Sequence, residues 1–331
     1  MVCTRDHVRL IPWNDAVSQD IKSLHNLSID EFLPHLFYNI DSATGHMRKL
    51  YQKSVTDLYL RSFFNPYKAW CQKHSLKLTG HLLLEEGLYY NTIFESDPFP
   101  ILSALDIPGT DHLGDATEHE YTGIPNLPIA HTNIHGRKLA SSVSHLNGSN
   151  TTISECYGCA GWGLTLDRAK VIADWQYSLG INMLCPHAMF YSIEGFRKHD
   201  APPAHNYLPN WKHYKKFSDY IGRISYALRQ GTHKARVALY YPIGAFHSAY
   251  SPLYSEGEAR LISDTFDACC SLLPKLHLDY DVISDRYLTG CSVEDGHLVI
   301  GNEQYDTLIA HSSAIRPGTR KLIEEFTSGG G

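Results

Sequence analysis

Hydrophobic positions along the chain follow two periods, and the change between them divides it into elements. From residue 46 to 74, Leu50, Val55, Leu58, Tyr59, Phe63, Tyr67 and Trp70 recur at three-to-four spacing, which predicts an amphipathic helix. Pro66 lies inside that run and must kink the helix or start a second segment, because its nitrogen carries no hydrogen to donate. Residues 15–38 read as short helices, with Ser28 and Glu31 at the spacing of a capping box. Residues 76–84 form an apolar strand closed by Glu85 and Glu86. A stretch rich in Pro, Asp and Gly follows, up to Gly114. Residues 138–146 are helical, and 151–155 are a short strand ending in Glu155. Thr165 caps a helix that runs to Leu179 and stops at Gly180. Residues 181–185 are a buried strand leading to Pro186 and His187, and 207–230 are a further helix.

Short apolar strands alternating with amphipathic helices predict a parallel α/β arrangement. Polar residues gather just after each strand: His81, Glu85 and Glu86, then Glu155, then His187. In a TIM (β/α)8 barrel the C-terminal strand ends form the active face, so residues 1–232 are expected to be a partial barrel of that kind. After Gly231 the pattern restarts, with strands at 237–241, 278–283, 298–300 and 307–310, and helices at 258–273 and 321–326. That succession predicts a truncated flavodoxin-like domain over residues 233–331. Its first turn, 242–246, lacks a Gly-rich phosphate loop, so a structural or oligomerisation role is expected there and the oligomeric state stays open. The chain stops on three glycines directly after a helix, which reads as a fragment of a longer polypeptide.

Charge narrows the partners. There are 29 Lys and Arg against 35 Asp and Glu, a net charge of -6, which argues against nucleic acid or an anionic membrane surface. No run of about 18 apolar residues is present and the first 14 residues have no apolar core, so neither a membrane span nor a signal peptide is expected. A cytoplasmic setting follows, with the eight scattered cysteines read as free thiols. Cys156 and Cys159 form a lone C-x-x-C with no second pair to complete a zinc site. The 20 His, 21 Tyr and 5 Trp suit a site for a polar, flat-faced ligand such as a sugar.

Glycosidic bond hydrolysis needs two carboxyl groups across the bond, one donating a proton and the other acting as nucleophile or base. Glu155 with Glu85 or Glu86, on different strand ends, fits that requirement. His81 and His187 are candidate ligands for sugar hydroxyls. Trp162, in the loop after Glu155, and Tyr191 are candidate sugar platforms, whereas Trp175 lies on an apolar helix face. Asp106, Asp111 and His112 can each bind a hydroxyl or a calcium ion; no other cofactor and no other metal is expected.

Several ordered motifs carry a resemblance. Residues 79–86 (TGHLLLEE), 106–114 (DIPGTDHLG), 154–165 (SECYGCAGWGLT), 172–176 (IADWQ), 180–182 (GIN) and 185–187 (CPH) resemble a group of large bacterial glycoside hydrolases related to the family 106 α-L-rhamnosidases. The resemblance spans roughly residues 8–242. It implies a (β/α)8 catalytic barrel, acid/base hydrolysis of a glycoside or oligosaccharide, and a following class I amidotransferase-like domain beginning near Arg236. It also implies that Glu155 is a catalytic carboxylate with Glu85 or Glu86 beside it, and that the reaction inverts. Relatives carry earlier barrel strands and accessory β-domains that this chain lacks. One of those strands holds an acidic segment, so the resemblance also implies a fragment that is inactive in isolation. The rival expectations are a non-catalytic carbohydrate-binding or structural remnant, and a redox or metal protein built on Cys156 and Cys159.

Overall fold

The N-terminal helices follow their caps. In the computed structural model, which describes residues 11–114, 134–198, 200–202, 204–253, 257–311 and 317–330, α1 (Asp15–His25) opens with Asn14 accepting from Val17 N at 3.1 Å. The capping box closes over α2 (Ile29–Phe37): Ser28 Oγ accepts from Glu31 N, and Ser28 N donates to the Glu31 carboxylate. Both helices pack on α3 (Thr44–Tyr59) through Val17, Ile21, Phe32, Leu36 and Tyr51. A π-turn over Leu60–Phe64 then leads into α4 (Asn65–Lys73). The backbone stays helical throughout, so Pro66 does not break the run: it sits just after the π-turn, which carries the helix past its missing N–H.

A parallel sheet comes next. Its strands are β1 (Thr79–Gly80), β2 (Ile107–Leu113), β3 (Ile153–Gly158) and β4 (Met183–Pro186), each hydrogen-bonded to the one before it in the chain. The helices α5 (Leu88–Phe94), α6 (Pro98–Ala104), α7 (Ile134–Leu146), α8 (Leu166–Ser178) and α9 (Tyr214–Leu228) accompany it. Three sequence expectations need correction. The strand over 76–84 shrinks to two paired residues, because the chain turns away after Gly80 to form the acidic loop. The stretch read as a gap contains β2, the second strand of the sheet, and the helices α5 and α6. The strand over 181–185 is not buried: Met183 and Cys185 are exposed, because β4 is the last strand of the sheet and one face is uncovered.

The faces of this sheet are unlike. Even-numbered residues such as His112, Cys156 and Leu184 lie toward the helices, where Cys156, Leu164, Ala169, Ile172 and Phe217 form a cluster. Odd-numbered residues, Asp111, Glu155 and Cys185, share the opposite face, as register pairs Asp111 with Glu155 and Glu155 with Cys185.

A second parallel sheet holds β5 (Val237–Tyr240) in the middle. It is followed in the chain by α10 (Ile243–Ala249), α11 (Glu258–Lys275), β6 (Tyr280–Ile283) and α12 (Asp285–Leu288). An antiparallel meander of β7 (Ser292–Glu294), β8 (His297–Ile300) and β9 (Glu303–Tyr305) intervenes before β10 (Thr307–Ile309) and α13 (Pro317–Ser328). Residues 298–300 thus leave the parallel series: Asp295 and Gly296, with φ 50° and 78°, make the two-residue turn of a hairpin. Strand β10 lies on one side of β5 and β6 on the other. The largest apolar cluster joins Phe64, Leu88, Phe99 and Leu139 to Val237, Tyr241, Phe246 and Phe266, so it draws on both halves of the chain. No described helix is long and apolar enough to cross a membrane. The described cysteines are free thiols, and Cys3 lies outside the described residues.

Candidate active site

Four of the residues singled out in the sequence meet on the uncovered face. His81, directly after β1, places Nε2 3.2 Å from Glu155 Oε2 on β3. Its other nitrogen, Nδ1, lies 2.7 Å from the carbonyl of Leu82. Both ring nitrogens face acceptors, so both carry protons and the ring is an imidazolium. Burial opposes that charge, but the Glu155 hydrogen bond and the nearby Glu85 and Asp111 outweigh it and push His81 up to about 10. In return, the His81 hydrogen bond holds Glu155 below the ordinary carboxylate range, against the effect of its partial burial. Glu155 keeps 38% of its side chain exposed, so the ionised carboxylate looks outward.

Glu85 sits deeper. It is buried, and its Oε1 accepts from the backbone N–H of Asp111 at 3.2 Å, tying the acidic loop to β2. Burial first, and then the Asp111 carboxylate, push Glu85 up to about 8, so it keeps its proton at neutral pH. One donor atom each from His81, Glu85 and Asp111 falls within a mutual 4.8 Å. With both His81 nitrogens donating and Glu85 holding its proton, this set does not suit calcium, which prefers an all-oxygen shell. The sequence grouping of Asp106, Asp111 and His112 is not assembled. Asp106 precedes β2 at its far end and accepts from Leu78 N at 2.8 Å, and His112 faces the helices.

Backbone geometry supports the cluster. Gly136, near the start of α7, has its Cα so close to the acidic loop that a Cβ there would lie 2.7 Å from Glu85 Cγ. Leu84, with φ 57°, turns the chain into Glu85. In β3 the register slips between β2 and Gly158, and Tyr157, with φ 78°, is the extra residue. A bulge beside a site re-aims side chains, and this one follows Glu155 by two residues.

The remaining candidates sit apart from this group or in other settings. Glu86 is buried next to Glu85. His187 follows β4, and its backbone N–H donates to Cys156 O at 2.7 Å. Its ring is close enough to contribute to the lowering of Glu155. Trp162 is exposed in the loop after β3, and Tyr191 projects fully into solvent. His112 is buried between Trp175, at 5.6 Å ring to ring, and Arg137. Cys156 is buried and Cys159 donates to Asp200 at 3.3 Å. Burial, with Asp200 adding to it, pushes Cys159 up to about 12, and burial pushes Cys156 up as well, which disfavours the thiolates a redox pair needs.

Sequence reasoning missed two residues. Arg137 is buried beneath the sheet and donates to the Asp111 carbonyl, placing a cation behind the acids. Its only signal was a basic doublet, Arg137 and Lys138, ahead of a run of small and apolar residues, 139–144. Glu95 is buried after α5, and its Oε1 accepts from Leu83 N at 3.1 Å, bracing the acidic loop. Burial and then Glu85 push its carboxyl well up.

Comparison with known proteins agrees with this architecture. The rhamnosidase of Novosphingobium sp. PP1Y superposes with a TM-score of 0.62 at 16% identity, over 96% of this chain and 29% of that one. The chain shares its fold with part of that rhamnosidase. The β-galactosidase of Bacillus circulans sp. alkalophilus gives a TM-score of 0.58 at 14% identity, over 98% of this chain and 48% of that one. In sequence, a protein of Formosa agariphila named "Putative beta-glucuronidase" is 24% identical over 96% of this chain and 25% of its own length. The chain therefore spans about a quarter of that relative. No family profile matches the sequence. The rhamnosidase-like resemblance read from the motifs accords with these similarities.

Proposed function

We propose that the chain carries a glycoside hydrolase site in which Glu155 is the ionised, outward-facing carboxylate and Glu85 the carboxyl that keeps its proton. The observation that carries this reading is geometric: a partly exposed carboxylate, Glu155, and a buried carboxyl, Glu85, gather around one imidazole, His81, and their surroundings split their roles. Glycosidic cleavage requires that split, one group to give a proton and one to remain charged. His81 positions Glu155 and holds it ionised. Asp111, beside Glu155 in the register, keeps Glu85 from ionising. Trp162 and His187 lie on loops that leave the same end of the sheet, where a sugar ring would stack and bond.

The four strands of the first sheet neighbour each other in chain order, as consecutive strands of a (β/α)8 barrel do. Their uncovered face would then be the barrel interior. The second sheet, with its first strand in the middle, supports reading residues 233–331 as the start of a flavodoxin-like, amidotransferase-like unit. The names of the relatives support a substrate among rhamnosides, galactosides or glucuronides, with α-L-rhamnoside favoured by the motifs. Calorimetry with the free sugars, run beside nitrophenyl glycoside assays, tests this. Binding with turnover supports the enzyme, and binding without turnover leaves a carbohydrate-binding remnant in its place.

A further inference from the structure

At the opposite end of the first sheet, where β3 and β4 begin, a second group of ionisable side chains has no part in the proposed chemistry. His145 ends α7, His233 precedes β5, Asp279 and Asp281 lie at the start of β6, and Glu303 opens β9. His145 Nδ1 is 2.8 Å from Asp281 Oδ1. His233 Nδ1 is 3.3 Å from Glu303 Oε2 and 3.6 Å from Asp281 Oδ2. The two imidazoles are stacked, with centroids 3.6 Å apart and planes 13° from parallel. Donor atoms of His145, His233 and Asp281 all lie within 4.8 Å of one another.

We propose that His145, His233, Asp281 and Glu303 form a binding site for a divalent transition metal of the zinc class, separate from the glycosidase site. Three observations carry this. The first is spacing: metal–ligand bonds of about 2.0–2.1 Å put tetrahedral ligand atoms about 3.3 Å apart, and the measured separations bracket that value. The second is the outer layer. If Nδ1 of His233 binds the ion, Nε2 is left to donate to Asp279, which lies 3.0 Å away and is held by Lys138 at 2.9 Å. A carboxylate behind a ligating histidine is the usual means of fixing its tautomer. Tyr305 donates to the Asp281 oxygen at 2.9 Å in the same way.

The third is charge. Asp281 and Glu303 are buried, and with Asp279 they face one ammonium, Lys138, so the carboxylates of the group outnumber its lysine by two. One dication bound there would offset that excess of buried carboxylates. A cleft of about 540 Å³, lined in part by His145, Asn150, Asn182, His233 and Glu303, opens onto the group and gives an ion access. Because the ligands come from α7, the segment before β5, β6 and β9, the bound ion would pin the first sheet to the second.

The test uses the untagged full chain, stripped with chelator and titrated with Co2+ and then Zn2+. The expected result is one Co2+ per chain with visible absorption of tetrahedral type, displaced by Zn2+. Folded His233→Gln and Glu303→Gln variants should lose at least about 100-fold in Zn2+ affinity, and Asp279→Asn about 10- to 100-fold. His81→Gln should bind Zn2+ as the parent does. Absence of stoichiometric binding by the parent chain, undiminished binding by the His233 and Glu303 variants, or loss of binding in His81→Gln would each overturn the proposal. The cobalt spectrum of the unmodified chain decides the matter if a variant does not fold.

Discussion

Glu85 and Glu155 are the same acid in two surroundings. His81 donates to Glu155, and burial beside Asp111 keeps the proton on Glu85. The Glu85 assignment has a consequence for stability. Its folded-state pKa, about 8, lies above the ordinary value near 4.5, so the native state binds this proton more tightly than the unfolded chain does. Stability contributed by that proton is present below about pH 4.5 and is lost as pH rises to about 8. Glu85→Gln keeps the shape and removes the titration. Its thermal midpoint should rise relative to the parent between pH 5 and 8, and a constant offset across that range would contradict the assignment. His81 runs from the other side: its charge contributes fully below about pH 6.5 and fades toward about pH 10. In a comparison of the parent with His81→Gln, the stability difference should therefore shrink between pH 7 and 10. Glu155 was legible in the sequence because a single acid in an apolar strand demands a reason. Glu95 and Arg137 were not, because nothing in their local pattern says that one is buried against the acidic loop and the other against Asp111.

The elements read best where a cap or a period marks them. The helix after Thr165 was found because the threonine hydroxyl accepts from Arg168 N at 3.1 Å and Gly180 takes φ 92° at the other end. Strand β2 was hidden by its own composition, since Pro108 and Gly109 read as breakers. The structure shows why the glycine is there. A Cβ on Gly109 would lie 2.4 Å from the Gly80 carbonyl and 2.6 Å from Ile153 Cγ2, so β1 and β3 both close on this position. Gly109→Ala should cost about 1–3 kcal/mol, the usual penalty for overpacking, read as a lower urea midpoint. The same change should displace His81 from Glu155, since β1 carries His81. The hairpin at Asp295-Gly296 had an available signal, an Asp-Gly turn between apolar residues, which the parallel reading passed over.

Across the whole molecule, the apolar core ignores the change of pattern at Gly231. Tyr241 of the second half packs on Phe99 and donates to Asn91 at 2.8 Å, and His135 lies between Asn91 and Asp267 in the same buried network. A chain cut after residue 232 would expose that surface and take Tyr241 from Asn91 and Asp267 from His135. We expect residues 1–232 made alone to be insoluble or molten, and the intact chain to unfold with coincident near- and far-UV transitions. A soluble, cooperatively folding 1–232 segment would contradict this. The sequence anticipated the two parallel stretches but not their shared core, because periodicity reports which face is buried and not what buries it. The central claim concerns Glu155, and its most direct test is turnover of nitrophenyl glycosides, α-L-rhamnoside first, by the protein. The account predicts hydrolysis by the parent and a loss of about 1,000-fold or more in kcat with Glu155→Gln, at unchanged folding. Undiminished turnover in that variant, or none by the parent, would contradict it.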